Sequence, residues 1–257
     1  DGPYGASLTA QGLATGPNAA LRFSADVPDV KPFAAQIEGP VKATGILRNS
    51  AEGWQIETQA SGPYRSQAAI EGFVASKIDV DFDLSLPNLQ PLVPQVNGPL
   101  QAKGKLLQTD NGFFIDTQAS GPYGAKALVE GLVTGPDMQL TFDASLPDVS
   151  PVVPGVSGPL AAKGVLRQTP EGIVLDTSAT GPYASRASVQ GLVTGPEANV
   201  DFNVNMPDIG ALVDKVNGPL SVTGAARKQG TAWRLDTDAT GPAGTQAKLA
   251  GLVNSDG

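Results

Sequence analysis

The sequence contains no cysteine and no histidine. These absences exclude disulfides and thiol nucleophiles, and they remove the usual zinc ligands and the commonest general base of enzymes. Lysine and arginine total 17 against 25 acidic residues, and the cations are scattered singly along the chain. Binding to nucleic acid or to an anionic membrane surface needs clustered cations, so we expect neither.

Long apolar runs are also missing. No stretch approaches the roughly 20 apolar residues of a membrane-spanning helix, and no signal peptide opens the chain. Aromatic residues make up only 5% of the chain, whereas it holds 31 glycines and 22 prolines. Because the glycines and prolines recur at fixed places between alternating runs, they indicate turns rather than disorder.

A Gly-Pro-Tyr motif recurs along the chain. It opens at residues 2, 62, 121 and 181, and Gly241-Pro242-Ala243 is a fifth copy without the tyrosine. A fixed period of this kind, near 60 residues here, is the signature of a repeat array. We therefore predict a single array over 1–257, with repeats at 2–61, 62–120, 121–180 and 181–240 and a partial copy at 241–257. Because Asp1 and Gly257 fall inside repeats, we expect the chain to be a piece of a longer protein.

Each repeat contains four runs in which apolar and polar residues alternate. The clearest run is 138–146, in which every second residue is apolar. Strict alternation with period two predicts a β-strand that is apolar on one face and solvated on the other. The proline-rich segment 147–154 cannot continue such a strand. We expect Asp148 to cap a single helical turn there and the three valines of the segment to pack down against the sheet.

The four repeats and the partial copy give about 17 strands, and no amphipathic helix is available to cover their apolar faces. Those apolar faces must then face each other, in a closed barrel, a sandwich or a curled sheet. A barrel suits a repeat array poorly, because nothing in the copies marks a first and a last strand that meet. We therefore predict an all-β fold, an elongated, curled antiparallel β-sheet that forms a groove.

Glycines recur on the apolar face at two places in the repeat. They are Gly12, Gly72, Gly131, Gly191 and Gly251 on the first strand, and Gly45, Gly104, Gly164 and Gly224 on the third. Since glycine weakens a strand, its repetition indicates either sharp curvature or room for something that lies close to the backbone.

The cycle of Gly-Pro-Tyr, alternating strand, Leu-Pro-Asp-Val-x-Pro-Val-Val-Pro, Gly-Pro-Leu-x-x-x-Gly and Gly-x-x-Leu-Asp-Thr resembles the periplasmic repeats of TamB-type proteins of Gram-negative bacteria. These belong to the AsmA-like, repeating β-groove family. The resemblance implies a hydrophobic groove in the periplasm that conducts phospholipids between the inner and outer membranes or assists outer-membrane protein assembly. It also implies an inner-membrane anchor and a TamA-like barrel partner, which would be engaged through regions that this chain lacks.

The resemblance favours a groove for phospholipid acyl chains along the large apolar residues of the second and fourth strands. The predicted groove residues are Leu21, Phe23, Trp54, Ile56, Val80, Phe82, Leu84, Phe113, Ile115, Leu140, Phe142, Ile173, Leu175, Val200, Phe202, Trp233 and Leu235. Each buried methylene of an acyl chain contributes about 0.8 kcal/mol without any specific contact. From the pattern alone, an ordinary filled core explains the same residues, and the chain would then be a structural or adhesive stalk.

No catalytic residue, cofactor or metal is expected. The carboxylates of Asp79, Asp81 and Asp83 share one strand face and could hold calcium, but a solvated acidic face is the simpler interpretation. An enzyme on a parallel β-helix is a more distant alternative, because the short rungs of that fold suit this long period poorly. The repeated tyrosines either form a recognition ladder or, more simply, lie over their turns with the hydroxyls in water.

Overall fold

The alternating runs form strands, and the computed structural model describes residues 2–32, 37–213 and 215–254. Contacts divide the chain into two units, Asp1–Lys126 and Ala127–Gly257. The strands of the first unit are β1 (Ser7–Leu13), β2 (Ala20–Val27), β3 (Val41–Ser50), β4 (Gly53–Ser61), β5 (Gln67–Val74), β6 (Ile78–Leu86), β7 (Leu100–Thr109) and β8 (Gly112–Ser120). Those of the second are β9 (Lys126–Leu132), β10 (Gln139–Leu146), β11 (Leu160–Thr169), β12 (Gly172–Thr180), β13 (Arg186–Leu192), β14 (Asn199–Met206), β15 (Leu220–Gln229), β16 (Ala232–Thr240) and β17 (Gln246–Asn254).

Within each unit, every strand pairs antiparallel with the next strand in the chain. In the described residues no ladder closes either unit into a barrel, so the sheet is open. The predicted all-β, open antiparallel fold class is therefore confirmed. Residues 2–61, 62–120, 121–180 and 181–240 each hold four strands, and β17 lies in the partial copy. Residues 1, 33–36, 214 and 255–257 of the predicted array lie outside the described ranges.

Helical structure in the described ranges is limited to single 3₁₀ turns. Five of them follow the repeated Gly-Pro, at Pro3–Gly5, Pro63–Arg65, Pro122–Gly124, Pro182–Ala184 and Pro242–Gly244, and a sixth is Ile209–Ala211. No helix of the described chain combines the length and the apolar character that crossing a membrane requires.

The proline-rich connection after each second strand is closed by one Asx side chain. Asp148 Oδ1 accepts hydrogen bonds from the backbone N–H groups of Ser150 at 3.1 Å and Gly158 at 2.9 Å. The expected helical turn after Asp148 is not formed; residues 149–153 make a hydrogen-bonded turn, and Asp148 caps that turn and also closes the loop. The expected packing of its valines is only partly correct. Val149 is 4% exposed, whereas Val152 and Val153 are 36% and 45% exposed.

The other proline-rich loops are closed in the same way. Asp29, Asn88 and Asp208 each accept from the residue two positions on and from the glycine ten positions on. The backbone N–H groups hold the pKa of the Asp29, Asp148 and Asp208 carboxyls below its ordinary value of 3.8, because a hydrogen-bonded carboxylate is favoured over the neutral acid.

The repeated tyrosines connect these loops to the next repeat through hydrogen bonds to their hydroxyl groups. The Tyr123 hydroxyl accepts a hydrogen bond from the N–H of Asn97 at 3.3 Å, and Tyr183 accepts one from Ser157 at 3.2 Å. The Ser157 N–H lowers the pKa of the Tyr183 hydroxyl, since it stabilises the phenolate. Both hydrogen bonds lie at exposed positions, and they give the hydroxyls a backbone partner that the sequence did not predict. Each such tyrosine has a backbone φ near 60°, an uncommon conformation for a side chain of this size.

Candidate functional site

The strand register places every predicted groove residue on one side of the sheet in its own unit. In an antiparallel pair, residues directly opposite each other point to the same side. Leu21 lies opposite Leu47, which lies opposite Ile56, and Val80, Leu106 and Ile115 continue the same row. The second unit repeats this row with Leu140, Leu166, Leu175, Val200, Ala226 and Leu235. We call this side of the sheet the apolar face.

A second row of the apolar face repeats phenylalanine, glycine and threonine across three successive strands. The four sets are Phe23–Gly45–Thr58, Phe82–Gly104–Thr117, Phe142–Gly164–Thr177 and Phe202–Gly224–Thr237. A Cβ atom on Gly164 would lie 2.7 Å from the ring of Phe142, and one on Gly45 or Gly224 would meet the ring of Phe23 or Phe202 as closely. In these three sets the aromatic ring therefore covers the glycine backbone of the neighbouring strand.

The threonine of this row was not among the predicted residues. Thr58 is 8% exposed, and the hydroxyls of Thr58 and Thr117 are buried without a hydrogen-bond partner. In the third repeat the equivalent Thr177 hydroxyl donates to the carbonyl of Lys163 at 2.9 Å. The sequence signal for this threonine is the repeated tripeptide of Leu or Ile, then Asp or Glu, then Thr, in which the threonine stands two residues after the large apolar residue of the fourth strand.

A third row consists mainly of alanine and was also missed from the sequence. Leu84 is the one predicted groove residue that lies in this row. Its members are Leu8, Ala25, Ala43, Ala60, Ala68, Leu84, Ala102 and Ala119 in the first unit, and Ala144, Ala162, Ala179, Ala187, Val204, Val222, Ala239 and Ala247 in the second. Because most of these side chains are small, they form a shallow strip of the apolar face beside the phenylalanine row.

The remaining predicted residues lie near the ends of the fourth strands. Trp54 lies opposite Asn49 and Val74, and Phe113 lies opposite Gln108. In the second unit, Ile173 lies opposite Gln168 and Trp233 lies opposite Lys228. Lys228 is the only ionisable residue that the strand register places on the apolar face of the described strands.

The apolar face is only partly covered. Among the predicted groove residues Val80 is buried, Leu84 is exposed, and all the others are half-buried. No large side chain in the described ranges is fully buried. The chain exposes 15890 Å², whereas two compact domains of half its mass, counted separately, would together expose about 12,800 Å². A filled sandwich would bury most of these side chains, whereas within each unit they remain half-buried.

The glycines of the first strand allow the neighbouring strand to approach closely. Gly131 and Gly191 have φ angles of 137° and 143°, and a Cβ atom there would lie 2.0 and 2.1 Å from a carbonyl oxygen of the next strand. Gly12 and Gly72 are placed in the same way. Of the two explanations suggested by the sequence, room for something that lies close to the backbone is therefore correct at these four positions. The space is already occupied by the backbone of the second strand.

The opposite side of the sheet carries the charged residues. Lys103 pairs with Asp83 at 2.7 Å, and Lys105 lies 2.6 Å from Asp79 and 3.7 Å from Asp81. The hydrogen bond to Asp79 raises the pKa of the Lys105 ammonium. The three carboxylates considered for calcium thus face lysines of the next strand. In the described ranges no group of three or more acidic side chains is arranged to hold a metal ion.

This polar side also has an open depression of about 630 Å³ in the first unit, which the sequence did not predict. Its walls come from β3 to β7 and include Lys42, Gln59, Asp83 and Lys103. The lysines there are paired with Asp26 and Asp83. The depression therefore offers amides, hydroxyls and neutralised ion pairs, and no concentrated charge for a ligand.

Comparisons with known proteins give no relative for this chain. No family model matches it, and neither a curated protein nor a solved structure matches it. The interpretation of the apolar face therefore depends on its own geometry and on the sequence resemblance.

Proposed function

We propose that this chain is a segment of a periplasmic, TamB-type protein of the AsmA-like repeating β-groove family, and that phospholipid acyl chains lie on its apolar face. In this role it conducts phospholipids between the inner and outer membranes of a Gram-negative bacterium, or assists the assembly of outer-membrane proteins. The proposed activity is non-catalytic and needs no cofactor.

The observation that carries the proposal is an apolar face that is extensive in each unit, poor in charge and only half-buried. Acyl chains gain free energy from such a surface at about 0.8 kcal/mol per methylene, with no need for a specific partner. Because the large residues recur in every repeat, a methylene that leaves one repeat finds an equivalent surface on the next. Movement along the face then has a low energetic cost.

The alternative, a structural or adhesive stalk with a filled core, has less support. A filled core requires close packing of the large side chains, at the density of protein interiors. Here Phe23, Phe82, Phe142 and Phe202 all remain half-buried. This observation favours the groove over the stalk.

Native mass spectrometry of the protein purified from bacterial membranes tests the proposal. We expect several phospholipids per chain, and we expect them to be lost when Phe142 and Phe202 are both replaced by Asp. The matched control is Thr141→Asp with Asn203→Asp, which adds the same charge to the same strands on the polar side. Circular dichroism confirms that each variant keeps its β-structure.

Two outcomes contradict the proposal. One is a lipid-free wild-type chain that remains monomeric and stable, which is the result expected for a stalk. The other is equal lipid loss in the apolar-face variant and in its polar-side control, since lipid would then bind by charge and not by burial of methylenes.

A further inference from the structure

Lys228 is a positively charged residue on a face that is otherwise free of charge in the described strands. It lies near the end of β15, directly opposite Trp233 of β16. Because β14 and β16 flank β15 on both sides, Lys228 is half-buried. A cation in such a position loses part of its hydration, so an acidic partner is expected beside it.

That partner is absent from the described part of the chain. No described acidic residue forms an ion pair with Lys228, and no described group accepts a hydrogen bond from its ammonium. On the polar side, by contrast, Lys163 pairs with Asp143 at 2.7 Å. Arg227, which precedes Lys228 and points to the polar side, lies 3.6 Å from Asp236. Lys228 therefore leaves one positive charge unneutralised on an apolar surface.

The other repeats show that the fold does not require a cation at this position. The counterparts of Lys228 on the apolar face are Asn49, Gln108 and Gln168. The Asn49 amide donates to the carbonyl of Gly16 at 3.1 Å. The Gln108 side-chain oxygen accepts from the N–H of Ile78 at 3.2 Å. The Lys228 side chain makes no such contact with a described residue, so the fold of the repeat does not explain its charge.

We propose that Lys228 anchors the phosphate of a phospholipid whose acyl chain lies on the apolar face. This inference rests on the proposed function and adds a position and an orientation for the lipid. A lysine ammonium binds phosphate as a point charge, and a partly buried pair is screened less by salt than an exposed one. The next row of the apolar face is Val200, Ala226 and Leu235, and the acyl chain extends over it.

Isothermal titration calorimetry on the whole chain compares three probes below the concentrations at which they form micelles. They are lysophosphatidylglycerol, a monoacylglycerol with the same acyl chain, and glycerol phosphate, which has no acyl chain. We expect lysophosphatidylglycerol to bind about tenfold more tightly than the monoacylglycerol, and glycerol phosphate to bind more weakly than either. Since the chain has a net charge of −8, general electrostatic attraction would favour the neutral lipid, and a preference for phosphate must be local.

Lys228→Gln provides the sharper test, because it introduces the amide that Gln108 and Gln168 provide in other repeats. We expect this variant to bind lysophosphatidylglycerol about tenfold more weakly than the wild type, so that the preference for phosphate disappears. The matched control, Arg227→Gln, removes the same charge from the polar side of the same strand and should keep the preference. Circular dichroism confirms that both variants retain their β-structure. Trp233 fluorescence in a Trp54→Phe background locates the lipid beside Lys228.

Four results would overturn the inference while the proposed function stands. They are equal binding of the two lipids by the wild type, a preference that Lys228→Gln retains, an equal loss in Arg227→Gln, and glycerol phosphate that binds as tightly as lysophosphatidylglycerol. The last result would show a site for phosphate without an acyl chain. If neither lipid binds, the proposed function itself fails, and this inference fails with it.

Discussion

The substitution Gly191→Ala tests whether close approach between strands explains the glycines of the first strand. Gly191 has a φ of 143°, in a region that side chains rarely adopt. Forcing alanine into such a conformation costs about 1–3 kcal/mol. The new methyl group would also lie 2.1 Å from the carbonyl oxygen of Asn199 and 2.9 Å from the Cα atom of Val200, so β14 must shift.

The shift of β14 adds the loss of one or two ladder hydrogen bonds, each of which contributes about 0.5–1.5 kcal/mol. We therefore expect Gly191→Ala to lower the free energy of unfolding by about 1.5–6 kcal/mol. Gly251→Ala makes the same chemical change at the equivalent position of β17, where no atom lies within 4 Å. That control should change the free energy of unfolding by no more than about 0.5 kcal/mol.

Urea denaturation measures both variants. Trp54 lies in the first unit and Trp233 in the second, so a Trp54→Phe background reports on the unit that contains both glycines. Because repeat arrays can unfold in parts, hydrogen exchange across β13 and β14 should accompany the fluorescence measurement. If the two variants lose equal stability, the close approach of β14 is not the reason for the glycine, and the reasoning fails.

Two further predictions concern the repeat itself. Phe142→Ala uncovers the backbone at Gly164. Because the ring is half-buried, we expect this substitution to lower the free energy of unfolding, measured by urea denaturation, by about 1–3 kcal/mol. Thr141→Ala is the control on the polar side of the same strand. The carboxyl of Asp148 has a folded-state pKa below 3.8, so its contribution is fully present above that pH and is lost as the pH falls through the lowered value. The protection factor of the Gly158 amide, which corrects for the intrinsic pH dependence of hydrogen exchange, should therefore fall on acidification below about pH 4, whereas the protection factor of Gly98 in the loop closed by Asn88, which does not titrate, should be unaffected. An equal loss of protection in both loops would contradict this assignment.

The sequence was sufficient to predict the strands and the side of the sheet to which each residue belongs. This was possible because both depend on local information. Alternation with period two fixes the face of each residue, and glycine and proline fix the turns between strands. The 138–146 run shows this, since β10 occupies Gln139–Leu146 and Phe142 lies on the predicted face.

The details that the sequence missed depend on contacts between different parts of the chain. Loop closure by Asp148 reaches Gly158, and the Tyr183 hydroxyl reaches Ser157 in the preceding repeat. The exposure of Val153 could not be predicted from its apolar character, because it depends on how the turn at 149–153 folds. The alanine row became visible only when the register aligned residues of many strands.

The central claim is that the apolar face, and not the polar one, holds acyl chains. Leu84 and Asp83 are adjacent in β6 and point to opposite sides of the sheet, and Leu84 is 37% exposed. The most direct test therefore places a photo-crosslinking amino acid at either position in protein incubated with phosphatidylethanolamine vesicles. The account predicts lipid adducts from position 84 and few or none from position 83. Equal adducts from both positions, or none from position 84, would contradict it.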